Sequence, residues 1–73
     1  MLVISITDVD EENKKVMGII PKSTQSDRIQ PGWFGDYLVE SIQDWNEDYY
    51  AVVVSGDRAM GDVRTGQPMI TLR

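Results

Sequence analysis

Leu2 to Thr7 carries a period-two pattern that sets Leu2, Ile4 and Ile6 on one face. That is the signature of a half-buried strand. A polar run from Asp8 to Lys15 reads as a turn, and Val16-Met17-Gly18-Ile19-Ile20 is a second apolar run that Pro21 stops. Five residues is strand length rather than helix length, so the two runs predict an antiparallel hairpin. Gly18 inside the second run predicts a bulge or a close backbone approach.

Lys22 to Gln30 has no apolar period and reads as a loop, closed by the turn dipeptide Pro31-Gly32. From Trp33 or Asp36 to Trp45 the spacing changes. Phe34, Leu38, Ser41, Ile42 and Trp45 recur at intervals of three and four, with Tyr37 flanking them, which predicts an amphipathic helix. Gly35 costs ~1 kcal/mol inside a helix and is therefore placed just before the first full turn. Asn46-Glu47-Asp48 ends the helix. Tyr49 to Val54 is aromatic and β-branched and predicts a central strand. Ser55 to Pro68, with glycines at 56, 61 and 66, reads as a long loop with a short strand near Met60 to Val63, and Met69 to Leu72 as a last strand.

The expectation is one α+β domain over residues 1–73, in the order β-β-α-β-β, with one helix on a mainly antiparallel sheet of about four strands. Leu2, Ile4, Ile6, Val16, Ile20, Leu38, Ile42, Trp45, Val52, Val54, Ile70 and Leu72 are its expected core. Strand order is left open.

Composition narrows the chemistry. The chain of 73 residues has neither cysteine nor histidine. It therefore lacks disulfides, thiolate metal sites, and the side chain best suited to proton transfer near neutral pH. No nucleotide-binding, metalloprotease or nucleophile-elbow motif occurs. A non-catalytic protein without a cofactor is the expectation. No stretch approaches a membrane span and Met1 to Ile6 reads as a strand rather than a signal, so a cytoplasmic protein without membrane contact is expected. Twelve acids against seven bases give a formal charge of −5. That balance opposes direct nucleic-acid binding and favours a basic partner.

Three features are candidates for function. Asp8, Asp10 and Glu12 match the first three acidic positions of a calcium loop, but Asn13 stands where glycine is needed and Ile19 where the bidentate glutamate belongs, so a solvated turn is preferred and no metal site is assigned. On the expected helix, Asp36, Glu40 and Asp44 recur every four residues, with Glu47 and Asp48 continuing the line and no base between Asp36 and Asp48. Like charges at that spacing repel, which points to a row kept for a basic partner. Trp33, Tyr37, Tyr49 and Tyr50 are hard to bury together and are candidate interface anchors. Arg58 and Met60 in the Gly-Asp loop are candidate contacts. The expected function is a protein-binding module that engages the basic surface of a nucleic-acid-handling protein as an inhibitor. By charge and size alone it is analogous to the acidic mimics of phages and mobile elements, among them some anti-CRISPR and anti-restriction proteins. Alternatives are a nucleic-acid binder using sheet aromatics, and a structural subunit or homo-oligomer assembled through sheet edges.

Overall fold

The computed structural model describes residues 2–23 and 30–72, with Leu2 by its backbone alone. The loop expected over 22–30 lies mostly outside the described residues, as do the side chains of Leu2, Arg28 and Arg73.

The first hairpin forms as the alternation predicts. β1 (Leu2–Asp10) pairs antiparallel with β2 (Lys15–Pro21), from Ser5 opposite Ile19 to Asp10 opposite Lys15. Its turn is built by the acids themselves. Asp10 accepts hydrogen bonds from the Asn13 side chain at 2.8 Å and the Asn13 N–H at 3.2 Å. Those bonds, the side-chain one foremost, hold the Asp10 carboxyl below the usual carboxylate range. The Asp8 carboxylate accepts from the Val9 N–H at 2.8 Å.

The helix expected between Trp33 and Trp45 is a second hairpin instead. β3 (Gly32–Phe34) and β4 (Tyr37–Asp44) pair through Phe34 opposite Tyr37, leaving Gly35-Asp36 as a two-residue turn in which Gly35 takes φ 63°. Positive φ at the first turn position is what tight hairpins require, and glycine adopts it without steric cost. In the pairing of β4 with β5 (Tyr49–Ser55), Val39 faces Val54 and Ser41 faces Val53, so Glu40 is an extra, bulged residue. A bulge shifts the side-chain phase by one. Val39 and Ile42, three apart, therefore both turn toward the core: Ile42 keeps its inward place from the expected stripe, and Val39, left out of that stripe, takes the place expected for Leu38. Trp45, expected in the core, is 58% exposed, and Leu38 is half-buried.

The helix stands where a loop was expected. α1 (Asp57–Arg64) buries Ala59 and Met60 and packs Val63 against the same core, touching β2, β4 and β5. Eight residues with Gly61 among them make a poor isolated helix. Burial of one face, with Asp57 in the first turn and Arg64 in the last complementing the dipole, holds it in place. Met60 is thus a core residue, 3% exposed, and its expected role as a partner contact does not stand.

β6 (Met69–Leu72) completes a six-stranded, wholly antiparallel sheet in the order β3-β4-β5-β2-β1-β6. The fold is a small α+β domain in which this sheet curls about one core, with two strands more than expected. Ile4, Val16, Ile20, Val39, Val52, Val54, Ile70 and Leu72 fill the curl, and α1 covers it. The curl is tightest at Gly18. A Cβ there would lie 2.4 Å from the Ile4 Cγ2 and 2.7 Å from the Ser5 carbonyl oxygen. A second bulge, at Thr7 in β1, bends the strand beside it. No helix among the described residues is long and apolar enough to cross a membrane.

Gly18→Ala is expected to destabilise the fold by about 1–3 kcal/mol through overpacking, read as a fall of roughly 4–8 °C in Tm per kcal/mol. Gly61→Ala, where an added Cβ meets nothing within 4 Å, is expected to stabilise by about 0.5–1 kcal/mol. Equal melting temperatures for these two variants would contradict the inward packing of Gly18.

Candidate functional site

The curl brings the turn of the β3–β4 hairpin, one face of α1 and the outer strand β6 around a single cleft of about 430 Å3. Its volume lies within the range of ligand sites. One wall is Phe34 to Tyr37, the base is Arg58 and Asp62, and the other wall is Met69 and Thr71, with Gln67 where the chain leaves the helix. A second, more open depression shares Gly35, Asp36 and Arg58 and extends past Asp57 to Trp33. Trp33, on the short strand β3, is 67% exposed.

The floor of the cleft is an ionic network. The Tyr37 hydroxyl donates to Asp62. Arg58 lies between two carboxylates, with its Nε 3.7 Å from Asp62 and its Nη1 3.3 Å from Asp36. Loss of solvent around the phenol, followed by its hydrogen bond to Asp62 and the charge of that carboxylate, pushes the Tyr37 pKa above the usual 10.0. The arrangement can present a rigid phenol, a guanidinium and two carboxylates to a polar ligand beside an exposed indole.

The structure therefore gathers Trp33, Asp36, Tyr37 and Arg58, which lay apart in the sequence reading. It separates them from the rest. The acidic row expected on a helix does not exist as a row, because its residues lie in a turn and a strand. Its first three acids are also paired within the chain: Asp36 with Arg58 at 3.3 Å, Glu40 with Lys15 at 3.3 Å, and Asp44 with Lys22. Each is a surface pair of the kind that contributes roughly 0–1 kcal/mol, and together they lace β4 and its turn to α1, β2 and the segment after β2. Tyr50 is half-buried, with the Lys22 ammonium 5.0 Å above its ring.

Glu47 and Asp48 sit exposed in the β4–β5 turn. Asn46 orders that turn by accepting the N–H groups of Asp48 and Tyr49 at 2.8 Å each. Tyr49 packs against Trp45 there, ring centres 6.3 Å apart. Trp33 lies opposite Leu38, and the six residues from Val39 to Asp44 separate Leu38 from Trp45 at the end of β4. At the rise of a β-strand that is roughly 20 Å, so the two exposed indoles do not form one platform for successive bases.

Asp62, Gln67, Met69 and Thr71 were not among the expected site residues. Asp62, with Asp57, belongs to a repeated Gly-Asp that could hold a metal or accept an arginine but is read first as a turn, and the β6 residues carried no signal beyond strand alternation. Among the described residues no three metal-ligating side chains cluster. Comparison with known proteins returned no match: no family model, no curated protein and no solved structure corresponds to the chain.

Difference titration of wild type against Tyr37→Phe, followed by phenolate absorbance, should isolate a tyrosine with its midpoint above 10. The raised pKa means that this tyrosine's contribution to stability is complete below about pH 10 and is lost as pH rises through the folded-state value. The variant should lack that part of the alkaline decline, and a difference midpoint at or below 10 would contradict the partly buried hydrogen bond to Asp62.

Proposed function

We propose that this chain is a non-catalytic protein-binding module that docks a basic surface of a partner protein through the cleft beside Trp33. The observation that carries the reading is the exposed indole bordering a cleft whose charged side chains are mainly acidic. The cleft sets Asp36 and Asp62 against Arg58, and the adjoining depression that Trp33 lines adds Asp57, so the two together carry three carboxylates to one guanidinium, a balance of −2. Tryptophan anchors are enriched among residues that dominate binding energy. The acidic surroundings select a cationic counterpart and speed its approach at low salt. Trp33, Asp36, Tyr37 and Arg58 form the proposed contact set with Asp62. A protein surface built for nucleic-acid phosphates has the required charge, and a module seated there acts as an inhibitor by competing with DNA or RNA. This version rests on net charge and on the cleft, and no longer on a helical row of carboxylates.

The test compares immobilised wild type with Trp33→Ala, Asp36→Asn/Asp62→Asn and, as a control outside the cleft, Glu47→Gln/Asp48→Asn. Each is incubated with nuclease-treated lysate of the source cells, and retained proteins are identified by mass spectrometry. The expected outcome is a basic protein held by wild type and by the turn variant, lost at high salt, and weakened at least about thirtyfold by Trp33→Ala, which corresponds to a hot-spot cost of about 2 kcal/mol. If oligonucleotide displaces it, the competitive version is supported. Equal retention by all four proteins rejects the cleft as the binding surface.

A further inference from the structure

The free edge of β6 has a phase that can be read from one hydrogen bond. The Ile6 N–H donates to the Pro68 carbonyl at 2.9 Å, in the same register that pairs Ser5 with Met69 and Leu2 with Leu72. Antiparallel ladders alternate hydrogen-bonded and non-bonded pairs. Pro68, Ile70 and Leu72 therefore direct their main-chain groups to β1, while Met69 and Thr71 direct theirs to the opposite side. β6 is the last strand in the sheet order, so no strand of the described chain meets them. Met69 and Thr71 are also the two β6 residues that line the cleft. Two N–H donors and two carbonyl acceptors thus point off the free edge of β6, about 7 Å apart along the strand, beside the cleft that Met69 and Thr71 line. Residues 69–72 carry no charge, no proline and no bulge, the usual protections of an exposed edge.

We propose that this edge takes an extended segment of a partner protein, which adds to β6 as a strand inside the cleft and sets a Lys or Arg side chain against Asp36 and Asp62. The inference rests on the protein-binding reading above and specifies how the partner is held. Main-chain pairing to Met69 and Thr71 supplies the docking, and alternate side chains of the segment supply selectivity. One set of side chains meets the facing wall, where Asp36 and Asp62 favour a cation and repel a carboxylate. Arg58 already partners both acids but leaves the Asp36 side chain 72% exposed, so a second cation can join it. The other set meets the thioether of Met69, 51% exposed.

The experiment titrates the isotope-labelled full chain at low salt with a blocked heptapeptide alternating threonine and lysine. The comparison peptides replace lysine by glutamate, or carry N-methyl groups on alternate amides. The lysine peptide should shift the Met69 and Thr71 amide resonances and slow their hydrogen exchange. The glutamate and N-methyl peptides should bind at least about tenfold more weakly. Thr71→Pro removes an outward N–H without breaking the β1–β6 ladder, a substitution edge strands tolerate. It should melt like wild type and lose peptide binding to a similar degree. Unchanged Met69 and Thr71 amides at millimolar lysine peptide, or equal binding by the N-methyl or glutamate peptide, would overturn the proposal. Shifts of the same amides on concentrating the chain alone would assign the edge to a second copy and overturn it as well. In the lysate comparison, a partner retained by Thr71→Pro but lost by Trp33→Ala would sink strand addition while leaving the protein-binding reading intact. A partner lost by neither would sink both.

Discussion

A sheet of short strands can exclude water from one face only if something covers that face, and α1 is eight residues long. It is too small a lid for six strands laid flat. The sheet must therefore bend until its inner face closes largely on itself. Two bulges, at Thr7 and Glu40, supply local bending, and the bare backbone of Gly18 lets β1 and β2 pack without a side chain between Ile4 and the Ser5 carbonyl. Once the curl is made, Ile4, Val16, Val39, Val52, Ile70 and the other inward residues meet as one core, and Ala59 and Met60 of α1 close it.

The same bending creates the site. In a flat sheet of this strand order, β3 and β6 lie at opposite margins. In the curled sheet the turn of the β3–β4 hairpin and β6 face each other across a cleft with α1 at its base. Arg58 and Asp62, one turn apart on the helix, then reach Asp36 and Tyr37 of the hairpin. The network is both a staple between helix and hairpin and the polar floor of the cleft. A charge placed there therefore changes local packing and ligand chemistry together.

Ion pairing reassigns the acidic residues. Read along the chain, Asp36, Glu40 and Asp44 stand without a base between them. In space Arg58, Lys15 and Lys22 arrive from other elements and partner each one. A carboxylate row inferred from spacing presupposes the element that carries it. When the element is a bulged strand preceded by a tight turn, the spacing no longer describes a surface. What survives is a charge balance, to which Asp36 and Asp62 contribute in the cleft and Asp57 in the depression beside it.

The sequence by itself determined the hairpin of β1 and β2, the strands at Tyr49 to Val54 and Met69 to Leu72, most of the aliphatic core and the α+β class. These depend on period-two alternation and β-branched runs, which are local properties. It also made Trp33, Asp36, Tyr37 and Arg58 visible as candidates, though not as neighbours. Tertiary structure decided the rest. The bulge at Glu40 set Val39 and Ile42 three residues apart on one face and so broke the period-two pattern of a strand, while the glycine-bearing segment Asp57 to Arg64 became the helix because burying Ala59 and Met60 outweighs its weak intrinsic propensity. The cleft belongs wholly to that level, because the walls contributed by residues 34–37, 58–62 and 69–71 meet only after the sheet has curled.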